Sequence, residues 1–367
     1  MSLASMAERL TRRTWTDEIV DAYVGPFVSA HLAHAVAASV REDAASGGAV
    51  TAILVALLDA DRVDGALVCV SAIEDGRVRA RYRIATTRNE LLAARGSTYV
   101  LGAFVAEALP LIEAFEGRLA VVGLPCELTA LARHTGLAEK VAVRIALFCG
   151  HATTSELVDH TTARLTQRAN GAKLTSFRFR IGHWRGMTRA GFDDGTVIEQ
   201  PFSAYGLYQN LYYFAAKKCM FCGDHFGYDS DLSAGDIWSA KYKSDPIKHT
   251  ALIVKTQAGA DAIALAEQRG ECEVVRVDIG EVLDGQRRIA PFHYNVSARA
   301  QAGVGLGLKI PDRVGAHVRW HERAAARIAL QDFLATQSPE GAAAVLRTDR
   351  RVLKLKLLLL KGLESLS

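Results

Sequence analysis

The sequence predicts an α/β protein with a mixed sheet containing βαβ units in its N-terminal part, a second α+β subdomain and a helical C-terminal tail. Three observations predict it. Apolar runs of strand length alternate with stretches of helical length up to about residue 155. From Lys173 the texture changes to short alternating strands with turn signals, and from about Gly303 it becomes rich in Ala, Arg and Leu at helical spacing. The 367 residues exceed the roughly 250–300 at which a single core stops growing. The expected division is a helical lead-in over 1–43, an α/β domain over 44–155, an α+β domain over 156–295 and a helical tail over 296–367.

Thr16 before Asp17 and Glu18 is a helix start, and apolar residues recur over 19–40, so the first forty residues read as helical with a break at Pro26. Ser46-Gly47-Gly48 forms a tight turn feeding a helix over 49–58. The apolar run 65–70 suits a buried strand, and 78–84 alternates as a second. A short helix over 89–95 closes at Gly96, and 99–116 reads as a helix that Pro110 kinks or splits. A strand over 119–122, a helix over 127–134 and a strand over 141–148 make one βαβ unit. Parallel strands joined this way deliver their following turns to one sheet edge, so Cys126 and Cys149 face a common site despite their separation. After a helix over 155–172, Phe177-Arg178-Phe179-Arg180 alternates, and Asp193-Asp194-Gly195 signals a hairpin continued by 196–199. Strands over 252–255 and 274–277, flanking a helix over 260–268, complete the second subdomain.

With 50% hydrophobic and 23% charged residues the chain is a folding one, and a net charge of +4 is too small and scattered to argue for nucleic acid. Residues 1–10 lack the apolar core of a secretory signal, and the run 353–360, broken by Lys354 and Lys356, is far shorter than a bilayer span. The expected compartment is the cytoplasm. There the six cysteines read as ligands or redox groups before disulfides. The segment 350–367 is expected to dock on its own domain rather than on a membrane surface, and its removal to leave cofactor content intact.

Cys219-Met220-Phe221-Cys222 is a C-x-x-C pair whose two thiolates can grip one metal or cluster. With Cys126 and Cys149 it supplies the four thiolates that a 4Fe-4S cubane or a tetrahedral zinc requires. A thioredoxin-type dithiol is disfavoured because no strand leads directly into the pair. Cys69 and Cys272, inside predicted strands, read as inert core.

Gly123-Leu124-Pro125-Cys126-Glu127, Cys149, Cys219-Met220-Phe221-Cys222-Gly223-Asp224 and Asp231-Leu232-Ser233-Ala234-Gly235-Asp236-Ile237-Trp238 resemble, in order, the coenzyme F420 hydrogenase/dehydrogenase beta-subunit family. The likeness extends to 46–51, 96–99, 177–180 and 253–259, and so spans roughly residues 44 to 290. It implies a flavin, usually FAD, beside one 4Fe-4S cluster on Cys126, Cys149, Cys219 and Cys222. It also implies electron exchange between F420 or another two-electron donor and a one-electron carrier, such as ferredoxin or another subunit; an unsaturated substrate is the alternative acceptor. A flavin accepts a hydride yet releases single electrons, which a cluster can take one at a time. Many relatives begin with a cysteine-rich ferredoxin-like segment that this chain lacks, and the tail after about Gly303 lies outside the likeness.

Ser46-Gly47-Gly48, with Thr51 behind it, presents N–H groups at a helix start, a seat for a phosphate or flavin carbonyl. Gly96-Ser97-Thr98-Tyr99 repeats the arrangement with hydroxyls and a ring that can stack. Gly123, Lys218 and Asp224 complete the expected cofactor contacts, and His225 is the candidate proton relay to the flavin. Asp231 reads as a turn former, and Tyr205, Tyr208 and Tyr212 as a core stripe. Lys217, Lys218, Lys241 and Lys243 bracket the C-x-x-C and suit an acidic cofactor or carrier. Two further readings stay open: a zinc-stabilised scaffold using the same thiolates, and an accessory electron-transfer subunit without turnover of its own.

Overall fold

A computed structural model describes residues 15–286, 295–312 and 315–366. The first fourteen residues of the expected lead-in, which include the segment judged to lack a secretory signal, lie outside them. Among the described residues the strands are β1 (Ser29–Ala35), β2 (Gly65–Glu74), β3 (Arg77–Ala85), β4 (Leu119–Gly123), β5 (Val141–Leu147), β6 (Leu174–Ile181), β7 (Met187–Phe192), β8 (Val197–Pro201), β9 (Leu232–Asp236), β10 (Thr250–Val254) and β11 (Cys272–Val277). Eight form one mixed sheet in the order β11-β1-β10-β9-β5-β4-β2-β3, and β6-β7-β8 form a separate antiparallel sheet. The predicted α/β class is the observed one.

Strand alternation sorts the core. Ala66, Val68, Ala120 and Val122 face the helices Ala49–Asp59 and Gln257–Gln268, whereas Leu67, Leu119 and Val121 face the helices Phe104–Ala114 and Pro125–Ala132. A period of two with both faces apolar is what a sheet covered by helices on both sides demands. The βαβ unit forms as read, with β4 and β5 parallel around the helix Pro125–Ala132.

Several expectations are corrected. The helix expected over 19–40 stops at Gly25, just before Pro26, and residues 29–35 are β1 instead. Ala30 and Leu32 pack on one face of the sheet and Ala33 and Ala35 on the other, between two antiparallel neighbours. Two hydrogen-bond ladders outweigh the helical preference of Ala, His and Leu. The strands expected in the second subdomain at 252–255 and 274–277 exist as β10 and β11, but both pair with β1 in the large sheet. In the region expected as a helix over 99–116, only Phe104–Ala114 is helical. Pro110 sits inside that helix without splitting it, and Val100 instead makes a parallel bridge to Thr153. That bridge draws the 96–101 segment toward the stretch that follows Cys149.

The C-terminal helices Val296–Val304, Trp320–Ala335, Pro339–Arg347 and Arg350–Ser365 share one core with the small sheet and the C-x-x-C. Ala298, Ala302, Leu330, Phe333, Leu353 and Leu360 are buried together with Phe179, Tyr205, Cys219 and Met220. Leu353 and Leu360 thus dock the last helix on its own chain, and Lys356 pairs with buried Asp332 beside it. No helix among the described residues is long and apolar enough to cross a membrane.

Candidate redox site

Cys126 opens the helix Pro125–Ala132 at the end of β4, and Cys149 follows β5. Residues 149–154 then run beside 214–225. Thr153 bridges Ala215, the Ala216 N–H donates to the Ala152 carbonyl at 2.9 Å, and the Ala152 N–H points at Cys219 Sγ at 3.4 Å. The Cys149 N–H donates to the His225 carbonyl at 3.0 Å, and His225 Nδ1 lies 2.8 Å from the Cys149 carbonyl oxygen. This zipper carries the 3₁₀ turn Lys217–Phe221, with Cys219 and Cys222, to the sheet edge where Cys126 and Cys149 emerge.

All six cysteines are free. Burial pushes the Cys149 thiol well above its ordinary value, and Cys219, Cys126 and Cys222 each push it further. Burial raises Cys126 to about 11, with Lys218 opposing and Glu127, Cys222 and Cys219 adding to the rise. The four thiols therefore lie within one electrostatic neighbourhood, in which burial first and neighbouring thiols second disfavour the thiolate. Among the described residues, no three His, Cys, Asp or Glu side chains are grouped as a set that could hold a single metal ion.

The surroundings are specific. Glu127, 4% exposed, accepts from the Leu124 N–H at 2.8 Å and from the Tyr82 hydroxyl at 2.5 Å. Burial raises its pKa against both hydrogen bonds and against Lys218. Gly123 packs directly on this carboxyl. Arg299, from the helix Val296–Val304, is fully buried and donates to the carbonyl oxygens of Cys219 at 3.2 Å, Met220 at 3.0 Å and Cys222 at 2.5 Å. Asp224 accepts from the Gly227 and Tyr228 N–H groups at 2.7 and 3.0 Å, closing the turn after Cys222. His225 packs among Tyr23, Phe148 and Phe226, and burial lowers its pKa to about 4, so its ring is neutral at pH 7.

The expected flavin turns separate into two environments. Gly96, Ser97 and Thr98 line a cavity of about 380 Å³, together with Ser71, Arg95 and Arg178. The full lining holds three arginines and no acidic residue, and the volume lies within the range of about 300–1,000 Å³ typical of small-molecule sites. Burial lowers the Arg178 pKa, and Arg95 and Arg189 add to this against Asp43. Ser46 instead bonds Thr250 at 2.7 Å, and a Cβ on Gly47 would lie 2.7–2.9 Å from backbone atoms of Ala33, Lys248 and Thr250. Gly48, at φ +77°, turns the chain into the helix Ala49–Asp59, where Thr51 is half-buried. The structure gives Gly47 a packing reason in the close approach of backbone to backbone and Gly48 a conformational one in its positive φ.

Arg180, absent from the expected site, joins the remaining motifs. It pairs in bidentate fashion with Asp236 at 2.7 and 2.5 Å and donates to the Tyr99 hydroxyl at 3.1 Å and to the Ala45 carbonyl. It also lies 5.0 Å over the Trp238 ring. Burial opposes its charge, but Asp236 and Tyr99 outweigh that and raise its pKa. Tyr205, Tyr208 and Tyr212 are buried, as expected of a core stripe. Asp231 does more than shape a turn, since it holds Arg144 at 3.1 Å and accepts from the Thr256 hydroxyl at 2.8 Å.

Two family models match the chain. The N-terminal part of the coenzyme F420 hydrogenase/dehydrogenase beta subunit covers residues 30–109, and its C-terminal part covers 116–279. The chain belongs to this beta-subunit family. Within it, the coenzyme F420 hydrogenase subunit beta of Methanosarcina barkeri is 23% identical over 312 residues, covering 80% of this chain and 99% of that protein. An uncharacterized protein of Methanocaldococcus jannaschii is 25% identical over 211 residues, 54% of each chain. The fold is similar to a chain of the F420-reducing [NiFe] hydrogenase complex from Methanosarcina barkeri. That match has a TM-score of 0.58 at 18% identity, over 79% of this chain and 98% of that one.

Sequence reasoning missed Glu127, Arg180 and Arg299 as members of the site. Glu127 and Arg180 lay inside motifs quoted for the beta-subunit family, so a buried charge there was readable. Arg299 lies past the matched stretch, and no local pattern marks it among the other arginines of the tail.

Proposed function

We propose that this beta-subunit-family protein is a flavin-dependent iron–sulfur oxidoreductase. In this reading it moves electrons between F420, or a similar two-electron donor, and a one-electron carrier such as ferredoxin or another subunit; an unsaturated substrate is the alternative acceptor. The observation that carries the reading is the approach of four thiols from three remote segments in a family of redox subunits. Cys126, Cys149, Cys219 and Cys222 would hold a 4Fe-4S cluster, whose cationic iron would offset the burial that raises all four thiol pKa values. FAD would use the cationic cavity, with Arg95, Arg178 and the Ser97 and Thr98 hydroxyls toward its diphosphate. A flavin supplies two-electron to one-electron exchange and a cluster stores single electrons. Beyond Thr98 in the cavity wall, Tyr99 and Val100 run beside Thr153, four residues past Cys149, so one bridged segment links the two sites.

The chain's own residues position rather than react. Lys218 would place a positive charge at the thiolates, Asp224 would fix the turn behind Cys222, and Gly123 would keep the Glu127 carboxyl close. Ser46, Gly47, Gly48 and Thr51 would support the helix start beside the cavity. His225, neutral at pH 7, enters in a narrower role than proton relay, holding the Cys149 carbonyl. We assign the protein to the cytoplasm, in company with another subunit. Anaerobic purification with iron, sulfide, zinc and flavin assays tests the reading. About four iron per chain with bound flavin is expected, and zinc without iron in a colourless protein would overturn it. Oxidation of reduced F420 with an artificial acceptor by the isolated chain separates an enzyme from an accessory subunit.

A further inference from the structure

We propose that the outer face of the helix Arg350–Ser365 docks the protein on an anionic membrane surface. The chain's net charge is concentrated there. The whole chain carries 44 Lys and Arg against 40 Asp and Glu, a net +4. This helix alone carries Arg350, Arg351, Lys354, Lys356 and Lys361 against Glu364, which is also +4, so the rest of the chain is neutral on balance. Lys356 is engaged by Asp332, and Glu364 is buried. Among the described residues, no carboxylate pairs with Arg350, Arg351 or Lys354.

Helical spacing sorts the apolar residues into two stripes. Leu353, Leu357, Leu360 and Leu363 recur every three or four residues on the side that packs on the chain's own core. Val352, Leu355, Leu358 and Leu359, with Leu366 at the C-cap, form a second stripe that is 56–68% exposed. At 3.6 residues per turn, Arg350 and Lys354 run along one border of this outer stripe, and Arg351 stands at its first turn. An apolar stripe edged by cations suits a helix lying flat in a lipid headgroup layer, with leucines at the acyl boundary and cationic tips at the phosphates. The cytoplasmic leaflet supplies the negative surface. A second copy fits this face less well, because a twofold contact along the stripe would set the same cations against each other. The stripe is aliphatic throughout and lacks the aromatic rings that anchor most protein interfaces. Neither a cluster nor a flavin is needed for this contact.

The experiment is co-sedimentation of the full chain with phosphatidylcholine vesicles, with and without phosphatidylglycerol, at low and high salt. Wild type is expected to pellet with the anionic vesicles and not with the neutral ones, and to be released as salt is raised. Two variants are compared with it: the triple variant Leu355→Ser, Leu358→Ser, Leu359→Ser, and the double variant Arg351→Glu, Lys354→Glu. Each should lower partition onto anionic vesicles at least about tenfold. All five positions are exposed, so the thermal midpoints should match wild type and separate lost docking from lost folding. Should the serine variant fold poorly, the charge reversal decides. Wild type that stays in the supernatant, or pellets equally with both vesicles, overturns the proposal. A folded variant of either kind that pellets like wild type overturns it too. A dimer in light scattering that the serine variant alone dissociates, with no vesicle binding, would assign the face to a second copy instead.

Discussion

Arg180 and the four thiols are both buried meeting points of segments remote in sequence, yet they are built on opposite terms. At Arg180 the charge finds its counter-charge within the chain, with two bonds to Asp236 and further ones to Tyr99 and Ala45. At the thiols, Cys219 and Cys222 raise the pKa of Cys126, and all three raise that of Cys149, in each case after burial. A satisfied polar network specifies structure, whereas the buried thiols gain a counter-charge only from the cluster proposed for them. The two regions should therefore respond differently to substitution.

The largest effect is expected at the thiols, and it should be on cofactor rather than on folding. Replacing Cys149 or the Cys219 and Cys222 pair by Ser should abolish iron loading while the thermal midpoint of the cofactor-free chain moves little. A variant that keeps its full iron content would break the comparison at its first term. Arg180→Met should do the reverse. Leaving half-buried Asp236 without its guanidinium costs up to about 3 kcal/mol, measurable as a lowered urea midpoint with unchanged slope. Iron lost from R180M only in step with unfolding would sharpen the distinction.

How much of this was legible beforehand follows from the range of the forces involved. The βαβ unit and its two cysteine turns were readable because periodicity and crossover handedness are local rules. β1 was not, because Ala, His and Leu at 29–35 carry a helical preference that only two flanking strands override. The thiol site was readable as a set of residue types at strand ends. Glu127 lay inside a quoted motif and could have been read with it, whereas Arg299 could not, since its partners Cys219, Met220 and Cys222 lie some eighty residues away in the chain. The expectation that 350–367 is dispensable for cofactor content also weakens, because Leu353 and Leu360 share a core with Cys219 and Met220.

A smaller, pH-dependent effect tests the Arg180 region from its rim. Lys248 donates to the Ala44 carbonyl at 2.7 Å, and its pKa is lowered to about 8, chiefly by burial, with Arg180 adding to this and Asp236 opposing it. The unfolded chain holds that proton up to about pH 10.4. Between these values the unfolded state binds more protons, so the stability that Lys248 contributes rises with pH across the window and is lowest below 8. The difference in urea midpoint between wild type and Lys248→Met should accordingly shift in favour of wild type from pH 7.5 to pH 10. A constant difference would mean that the amine is not desolvated beside Arg180.

The smallest effects are expected on the outer face of the last helix, where the same residue type meets opposite surroundings within two turns. Leu353 and Leu360 are 2% and 0% exposed, whereas Leu355, Leu358 and Leu359 are each about 60% exposed or more. Truncating Leu360 to Ala removes packing shared with the core that holds Met220 and should cost about 2–5 kcal/mol. Replacing Leu355, Leu358 or Leu359 by Ser should stay within about 0.5 kcal/mol in the isolated chain. Outer-face variants as damaging as Leu360→Ala would mean that this helix is covered in solution. The site's C-terminal wall, with Arg299 in it, would then depend on a contact beyond this chain.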